Sequence, residues 1–205
     1  MIAALFVERG GPYFGRHDVD PWGKERDARL YAGPWPVVAH PPCGQWGNLR
    51  HLFVPNRERI QDADCGPIAV DIVRRYGGVL EQPAGSKLFD ECACAKPHLS
   101  PDTFVEDRHG GYAIEVCQVE WGHPARKRTW LYLVGIPRPR VAPPFPGRTP
   151  THWVSGGRTH ERKGSGGVVL PGIKVCSAQQ RRRTPPAFAD WLIALSHQAT
   201  IRRSA

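Results

Sequence analysis

The stretch that decides the fold is Val37-Val38-Ala39-His40-Pro41-Pro42-Cys43-Gly44-Gln45-Trp46-Gly47. Val37 to Ala39 is a short apolar run of the kind that forms a buried strand. Two prolines then stop it, because they remove backbone donors and fix φ. Cys43 therefore sits where a strand opens into a loop at a sheet edge. In open α/β sheets the carboxyl ends of strands are where ligands bind. Gly44 and Gly47 keep the backbone thin, and Trp46 can wall a pocket. A thiol presented this way suits nucleophilic catalysis. A small buried cysteine in a Pro-rich turn would have the same local sequence.

Downstream, the polar stretch after Cys43 carries Arg50, His51, Arg57 and Arg59, as a loop over a site or a plain surface loop would. Ile68, Ala69, Ile72 and Val73 then fall on one face of a helix over Cys65 to Tyr76, closed by Gly77-Gly78. Gly78-Val79-Leu80-Glu81-Gln82-Pro83 reads as a second buried strand that ends in an acid and a proline. A strand–helix–strand unit is right-handed and parallel, so Cys43 and Glu81 are expected at the same sheet edge. A thiol and a carboxylate there form a catalytic pair; Glu81 alone would read as a solvated strand end.

Upstream, Ile2 to Val7 is a β-prone segment that runs into a Gly-rich turn, Glu8-Arg9-Gly10-Gly11-Pro12-Tyr13-Phe14-Gly15. Such a turn lets backbone approach a nucleotide, and it is also an ordinary loop. His17 to Trp22 is polar, and Glu25 to Tyr31 reads as a short helix. Beyond Glu81, Lys87 to Asp107 is irregular, and Cys92-x-Cys94 with His98 is half of a zinc-site pattern without its second half. Tyr112 to Glu120 and Thr129 to Gly135 read as a hairpin whose turn carries Arg126, Lys127 and Arg128, cations suited to phosphate.

Residues 137–172 are rich in Pro, Gly, Arg and Thr, with Arg158, Arg162, Lys163 and the aromatic Trp153 among them. Cations interleaved with an aromatic suit a nucleic-acid loop; the composition also fits a linker. Phe188, Trp191, Leu192 and Leu195 share one face of a helix over Ala187 to Gln198, started by Thr184 and the prolines after it.

The whole chain has 205 residues and 40% hydrophobic content, enough for one domain with a real core. Its charge of +9 favours a polyanionic partner, nucleic acid first, over a basic protein without one. No apolar run reaches the length of about 18 residues that a membrane span needs, and Met1 to Val7 is too short for a signal peptide. The six cysteines show no disulfide framework, so reduced thiols in a cytoplasm are expected.

Together these pieces resemble the DNA (cytosine-5) methyltransferase family. Pro41-Pro42-Cys43 matches its Pro-Pro-Cys loop, and Val79-Leu80-Glu81-Gln82-Pro83 looks like its Glu-Asn-Val motif. Arg128 before a strand ending in Val-Gly looks like its Gln-x-Arg-x-Arg strand. Leu5-Phe6 with Gly10-Gly11 resembles its Phe-x-Gly-x-Gly turn, and Thr184-Pro185-Pro186 its closing helix. The resemblance implies a truncated Rossmann-like α/β fold of the class I methyltransferase type. It implies a catalytic α/β core over residues 1–136, a basic target-recognition-like stretch over 137–172, and a C-terminal segment with a helix packing back over 173–205.

It further implies that the Cys43 thiolate adds to carbon 6 of a flipped-out cytosine, while Glu81 holds the ring nitrogen and amino group and Arg128 steadies the base carbonyl. S-adenosylmethionine would be held by Phe6, Gly10, Gly11, Pro41 and Thr184, and DNA by Arg126, Lys127, Arg158, Arg162 and Lys163. A small basic protein of this type would act on DNA in a bacterial or phage-infected cell.

The chain departs from the family pattern in places. Glu8 stands where the turn has its first glycine, Gln82 where the second motif has Asn, and Trp130 where the later motif has its second Arg. The run from Gly11 to Cys43 also lacks the further strand–helix units that hold the adenosyl group. Carbon-5 methyl transfer is the expected reaction. Cytosine chemistry without S-adenosylmethionine, deamination included, and a non-catalytic DNA-binding protein are the alternatives.

Overall fold

The computed structural model describes residues 1–47, 50, 62–98, 100, 103–154 and 174–200. Short apolar runs supply the sheet: β1 (Ile2–Leu5), β2 (Val19–Trp22), β3 (Val37–Ala39), β4 (Gly78–Pro83), β5 (Gly111–Cys117) and β6 (Arg128–Val134). Their order is β2-β1-β3-β4-β6-β5. The first four are mutually parallel, and β6 runs antiparallel between β4 and β5. The chain is therefore α/β with a mainly parallel sheet, compatible with a Rossmann-like fold.

The helix α1 (Cys65–Tyr76) carries the chain from β3 to β4 and buries Ala69, Val70, Ile72 and Val73 against one sheet face. Gly66 lets its first turn come close to the loop after β3. A Cβ there would lie 2.7 Å from Trp46 Nε1 and 2.9 Å from Leu88 Cδ1. α2 (Leu88–Glu91) is a single turn on the same face. On the opposite face lie the connection between β1 and β2, which brings Tyr13 and Val19 into the core, and α4 (Pro186–Ser196), which buries Phe188, Leu192 and Leu195. Before α4 comes α3 (Ala178–Arg182), started by a capping box between Ser177 and Gln180. Two further short strands, β7 (His152–Trp153) and β8 (Lys174–Val175), pair in parallel.

Several expectations change. The segment read as polar contains β2, an edge strand, where Pro21 needs no partner for its missing N–H. The helix expected over Glu25 to Tyr31 is two 3₁₀ turns, Lys24–Arg26 and Ala28–Leu30, broken at Asp27 with φ 45°. The strand expected to reach Glu120 stops at Cys117 and turns at Gln118. Thr184 makes no cap, since the residue before α4 is Pro185. No helix among the described residues is long and apolar enough to cross a membrane.

Candidate active site

Strand register assembles the site. Val38 and Val79 are neighbours facing α4, and Ala39 and Leu80 are neighbours facing α1. Side chains alternate along a strand, so the next pair, His40 and Glu81, faces the α4 side where β3 and β4 end. The two meet there: His40 Nδ1 lies 3.1 Å from Glu81 Oε2. A carboxylate can only accept, so Nδ1 carries the proton. His40 Nε2 then accepts from the Tyr13 hydroxyl at 2.6 Å. Burial, followed by the Glu81 charge, pushes the Tyr13 pKa well above its ordinary value, which keeps that hydroxyl a donor.

The other carboxylate oxygen, Glu81 Oε1, accepts from Gln118 Nε2 at 3.0 Å and faces Lys127 Nζ at 4.0 Å. Gln118 reaches it because β5 ends one residue earlier and turns the chain inward. The same Gln118 amide nitrogen donates to Thr129 Oγ1 at 3.0 Å. Gln118 Oε1 is buried with no hydrogen-bond partner, the one such side-chain atom among the described residues. Burial alone would raise the Glu81 pKa. The Lys127 charge and the bonds from His40 and Gln118 outweigh it and hold the pKa at about 2, so Glu81 is ionised at neutral pH.

Cys43 lies on the exposed loop just beyond. Its carbonyl accepts from the backbone N–H of Trp46 at 3.1 Å and of Gly47 at 2.8 Å, which curls the loop into a turn. Gln82 fixes the base of that loop: its Nε2 donates to the Pro41 carbonyl at 2.8 Å, and its Oε1 accepts from Ser86 Oγ at 3.1 Å. The thiol pKa is raised, first by desolvation against the loop and then by Glu81; Lys127 and Arg182 pull it down. These four charged and nucleophilic groups thus share one neighbourhood.

Comparisons with known proteins found no family model, no curated protein and no solved structure that matches this chain.

Of the residues singled out by sequence, Cys43 follows β3 and Glu81 lies on its parallel neighbour β4, at one sheet edge and within electrostatic reach, while Arg128 points elsewhere. Arg128 lies two residues from Trp130 on the α1 side of β6, where its guanidinium makes a two-pronged pair with Glu115 at 2.6 and 2.9 Å. The cation that faces Glu81 is its neighbour Lys127. Arg126 is exposed on the same turn. His123 ties that turn to α3, with Nε2 donating to the Gln180 carbonyl at 3.0 Å and Nδ1 accepting from the Ala125 N–H at 3.0 Å. The exposed Arg182, at the end of α3, is within electrostatic reach of the thiol and lowers its pKa slightly. Arg158, Arg162 and Lys163, and the expected loop residues His51, Arg57 and Arg59, lie outside the described residues.

The residues expected to hold S-adenosylmethionine are arranged differently from one another. The Gly10-Gly11 turn closes on itself: the Gly11 N–H donates to the Glu8 carbonyl at 3.0 Å, and a Cβ on Gly11 would lie 2.9 Å from that oxygen. The Pro41 carbonyl is taken by Gln82, and Phe6 is half-buried with φ 59°. Thr184 lies in the link between α3 and α4. Cys92 and Cys94 pack near Arg74, whose Nη2 donates to the Cys92 carbonyl at 2.7 Å and contacts Cys94 Sγ at 3.6 Å.

His40, Tyr13 and Gln118 escaped the sequence reading. Strand alternation carried one residue past Ala39 would have found His40. Tyr13 and Gln118 sit in a glycine-rich turn and at a strand end, and nothing in their local sequence marks them.

Proposed function

We propose that this protein is an enzyme that modifies cytosine in DNA, with Cys43 adding covalently to carbon 6 of the base. The observation that carries the reading is the ionised, buried Glu81 facing a cation, with a thiol on the loop that follows the neighbouring parallel strand. Cytosine presents an amino donor, a ring-nitrogen acceptor and a carbonyl acceptor along one edge. Glu81 accepts from the amino group, and Lys127 takes the role the resemblance gives to Arg128, steadying the carbonyl oxygen. The unpartnered Gln118 Oε1 belongs to the amide that already touches Glu81, and an unsatisfied buried acceptor costs about 1–3 kcal/mol. An amino group is the kind of donor it lacks.

The resemblance gains support from the strand order. A parallel run with one antiparallel strand inserted before the last edge strand is the pattern of a class I methyltransferase sheet without its outermost strand. The exposed cations Arg126, next to Lys127, and Arg182, within electrostatic reach of the thiol, suit the phosphates that flank a flipped-out base. Carbon-5 methyl transfer is the outcome the resemblance implies. S-adenosylmethionine does not fit the Gly10-Gly11 turn, which closes on the Glu8 carbonyl. What the chain's own residues do is add the thiolate at carbon 6, hold the amino group through Glu81, and stabilise charge on the carbonyl through Lys127.

The test is covalent capture. DNA carrying 2-pyrimidinone, a cytosine analogue without the amino group, forms a lasting adduct with a thiolate that attacks carbon 6. Intact-mass spectrometry is expected to show the protein plus one strand for the wild type and no adduct for Cys43→Ala of unchanged circular dichroism. Absence of the adduct with both single-stranded and duplex DNA would sink the reading.

A further inference from the structure

In an open α/β sheet a nucleoside cofactor binds in the crevice where strand order reverses. Here the chain leaves β1 for β2 on one side and returns for β3 on the other, so the reversal lies between β1 and β3. The carboxyl ends of those strands are joined by the bond from the His40 N–H to the Leu5 carbonyl at 3.0 Å. The crevice above them is filled by protein. Tyr13 is 2% exposed, packs with Val7, Val38 and Phe188, and bonds to His40. Arg16 and Asp190 pair across the rim at 2.6 Å, linking the β1–β2 connection to α4. The connection between β1 and β2 contains no helix, so no helix N-terminus faces the crevice.

We infer that Tyr13 and His40 close this crevice to S-adenosylmethionine and that water resolves the Cys43 adduct at carbon 4, making the protein a cytosine deaminase acting on DNA. The inference rests on the covalent reading above. Its chemistry balances without a bound cofactor. The thiolate bonds to carbon 6, and the electron pair of the 5,6 double bond moves through carbon 4 to the ring nitrogen, which takes a proton. A proton added at carbon 5 leaves carbon 4 electrophilic. Water adds there and loses a proton, and the amino nitrogen leaves as ammonia. Removal of the carbon-5 proton then expels the thiolate and restores the double bond. Cytosine and water become uracil and ammonia, with no net oxidation.

Such a sequence needs protons given and taken beside the base. Solvent water gives the protons for the ring nitrogen and carbon 5, and the ionised Glu81, held by His40 Nδ1–H at 3.1 Å, takes protons back. Tyr13 on the far nitrogen fixes the tautomer that presents the Nδ1 proton. Methyl transfer protonates the ring nitrogen in the same way but delivers a methyl group, not a proton, to carbon 5, so it needs the cofactor crevice that Tyr13 fills.

The experiment pairs two measurements on the full-length protein. Calorimetry with S-adenosylmethionine and its demethylated product is expected to show no binding up to millimolar ligand. Mass spectrometry of nucleosides, after incubation with single-stranded and duplex DNA in the absence of either ligand, is expected to show deoxyuridine for the wild type and none for Cys43→Ala. Micromolar binding, or 5-methylcytosine formed on adding the methyl donor, overturns the inference and leaves the covalent reading standing, because the pyrimidinone adduct still forms. An adduct with unchanged cytosine also overturns it. Loss of the adduct removes both.

Discussion

Among the described residues two carboxylates with covered side chains, Glu81 and Asp107, each lie beside a cation and near a tyrosine, and they are satisfied in different ways. Asp107 accepts from the backbone N–H groups of Ala95, His109 and Gly111 at 3.2, 2.9 and 3.1 Å, and from Tyr132 Oη at 2.7 Å, with Arg74 at 3.6 Å. Glu81 accepts only from the side chains of His40 and Gln118, with Lys127 at 4.0 Å. Backbone donors fix chain geometry and cannot be traded for ligand groups. Side-chain donors can rotate away and be replaced by the edge of a base. An unpartnered acceptor beside Glu81 and a loop thiol close to it complete the contrast. A pinned carboxylate holds a loop; one held by side chains is available for chemistry.

The sharpest way to break this contrast is to neutralise each acid in turn. Glu81→Gln is expected to slow conversion of cytosine in DNA, whose amino group Glu81 holds, by about 10²–10⁴-fold, the range for a positioned acid–base group. Asp107→Asn is expected to leave that rate unchanged in the folded fraction and to lower stability instead. Equal loss of rate in both variants would abolish the distinction.

Much of this frame could be read in the sequence. The apolar run at Val37, the helical spacing of Ala69, Ile72 and Val73, the run ending at Glu81 and the Phe188–Leu195 stripe each announce an element by local period alone. The placing of Cys43 and Glu81 at one sheet edge followed from the parallel β3–β4 crossover. β2 was hidden because Asp20 and Pro21 are poor strand formers, tolerated only at a sheet edge. α3 was hidden by its shortness and by the arginine run that ends it. His40, Tyr13 and Gln118 meet Glu81 through strand register and a turn, which are long-range facts with no local signature.

Acid titration separates the two carboxylates by a smaller effect. The Glu81 pKa is lowered from 4.5 to about 2 in the fold. A lowered carboxylate stabilises the native state above its unfolded value and loses that contribution as pH falls through the folded value. Thermal stability of the wild type is therefore expected to fall as pH drops from about 4.5 toward 2. Glu81→Gln should flatten that limb, with its deficit against wild type largest near neutral pH and vanishing near the acid end. Asp107 is also lowered, by Tyr132 and the backbone N–H groups against the opposing effect of burial, so part of the limb is expected to survive in Glu81→Gln. A limb of unchanged steepness in that variant would mean that Glu81 is not held ionised.

The finest contrast is between adjacent residues, Lys127 and Arg128, which face opposite sides of the sheet. A charge-assisted contact such as that of Lys127 is worth about 1.5–3 kcal/mol, so Lys127→Ala is expected to slow adduct formation about 10–100-fold. It should also raise the Cys43 pKa further, because Lys127 is one of the two cations that lower it. Alkylation of Cys43 by iodoacetamide at fixed pH then slows as well, a change that loss of packing alone would not produce. Arg128 pairs with Glu115 at the surface, and an exposed pair of this kind contributes about 0–1 kcal/mol. Arg128→Ala is expected to leave both adduct formation and alkylation as they are. The opposite result, with Arg128 essential and Lys127 dispensable, would require β6 to present its other face to the base. It would return the catalytic cation to the residue that the family motif names.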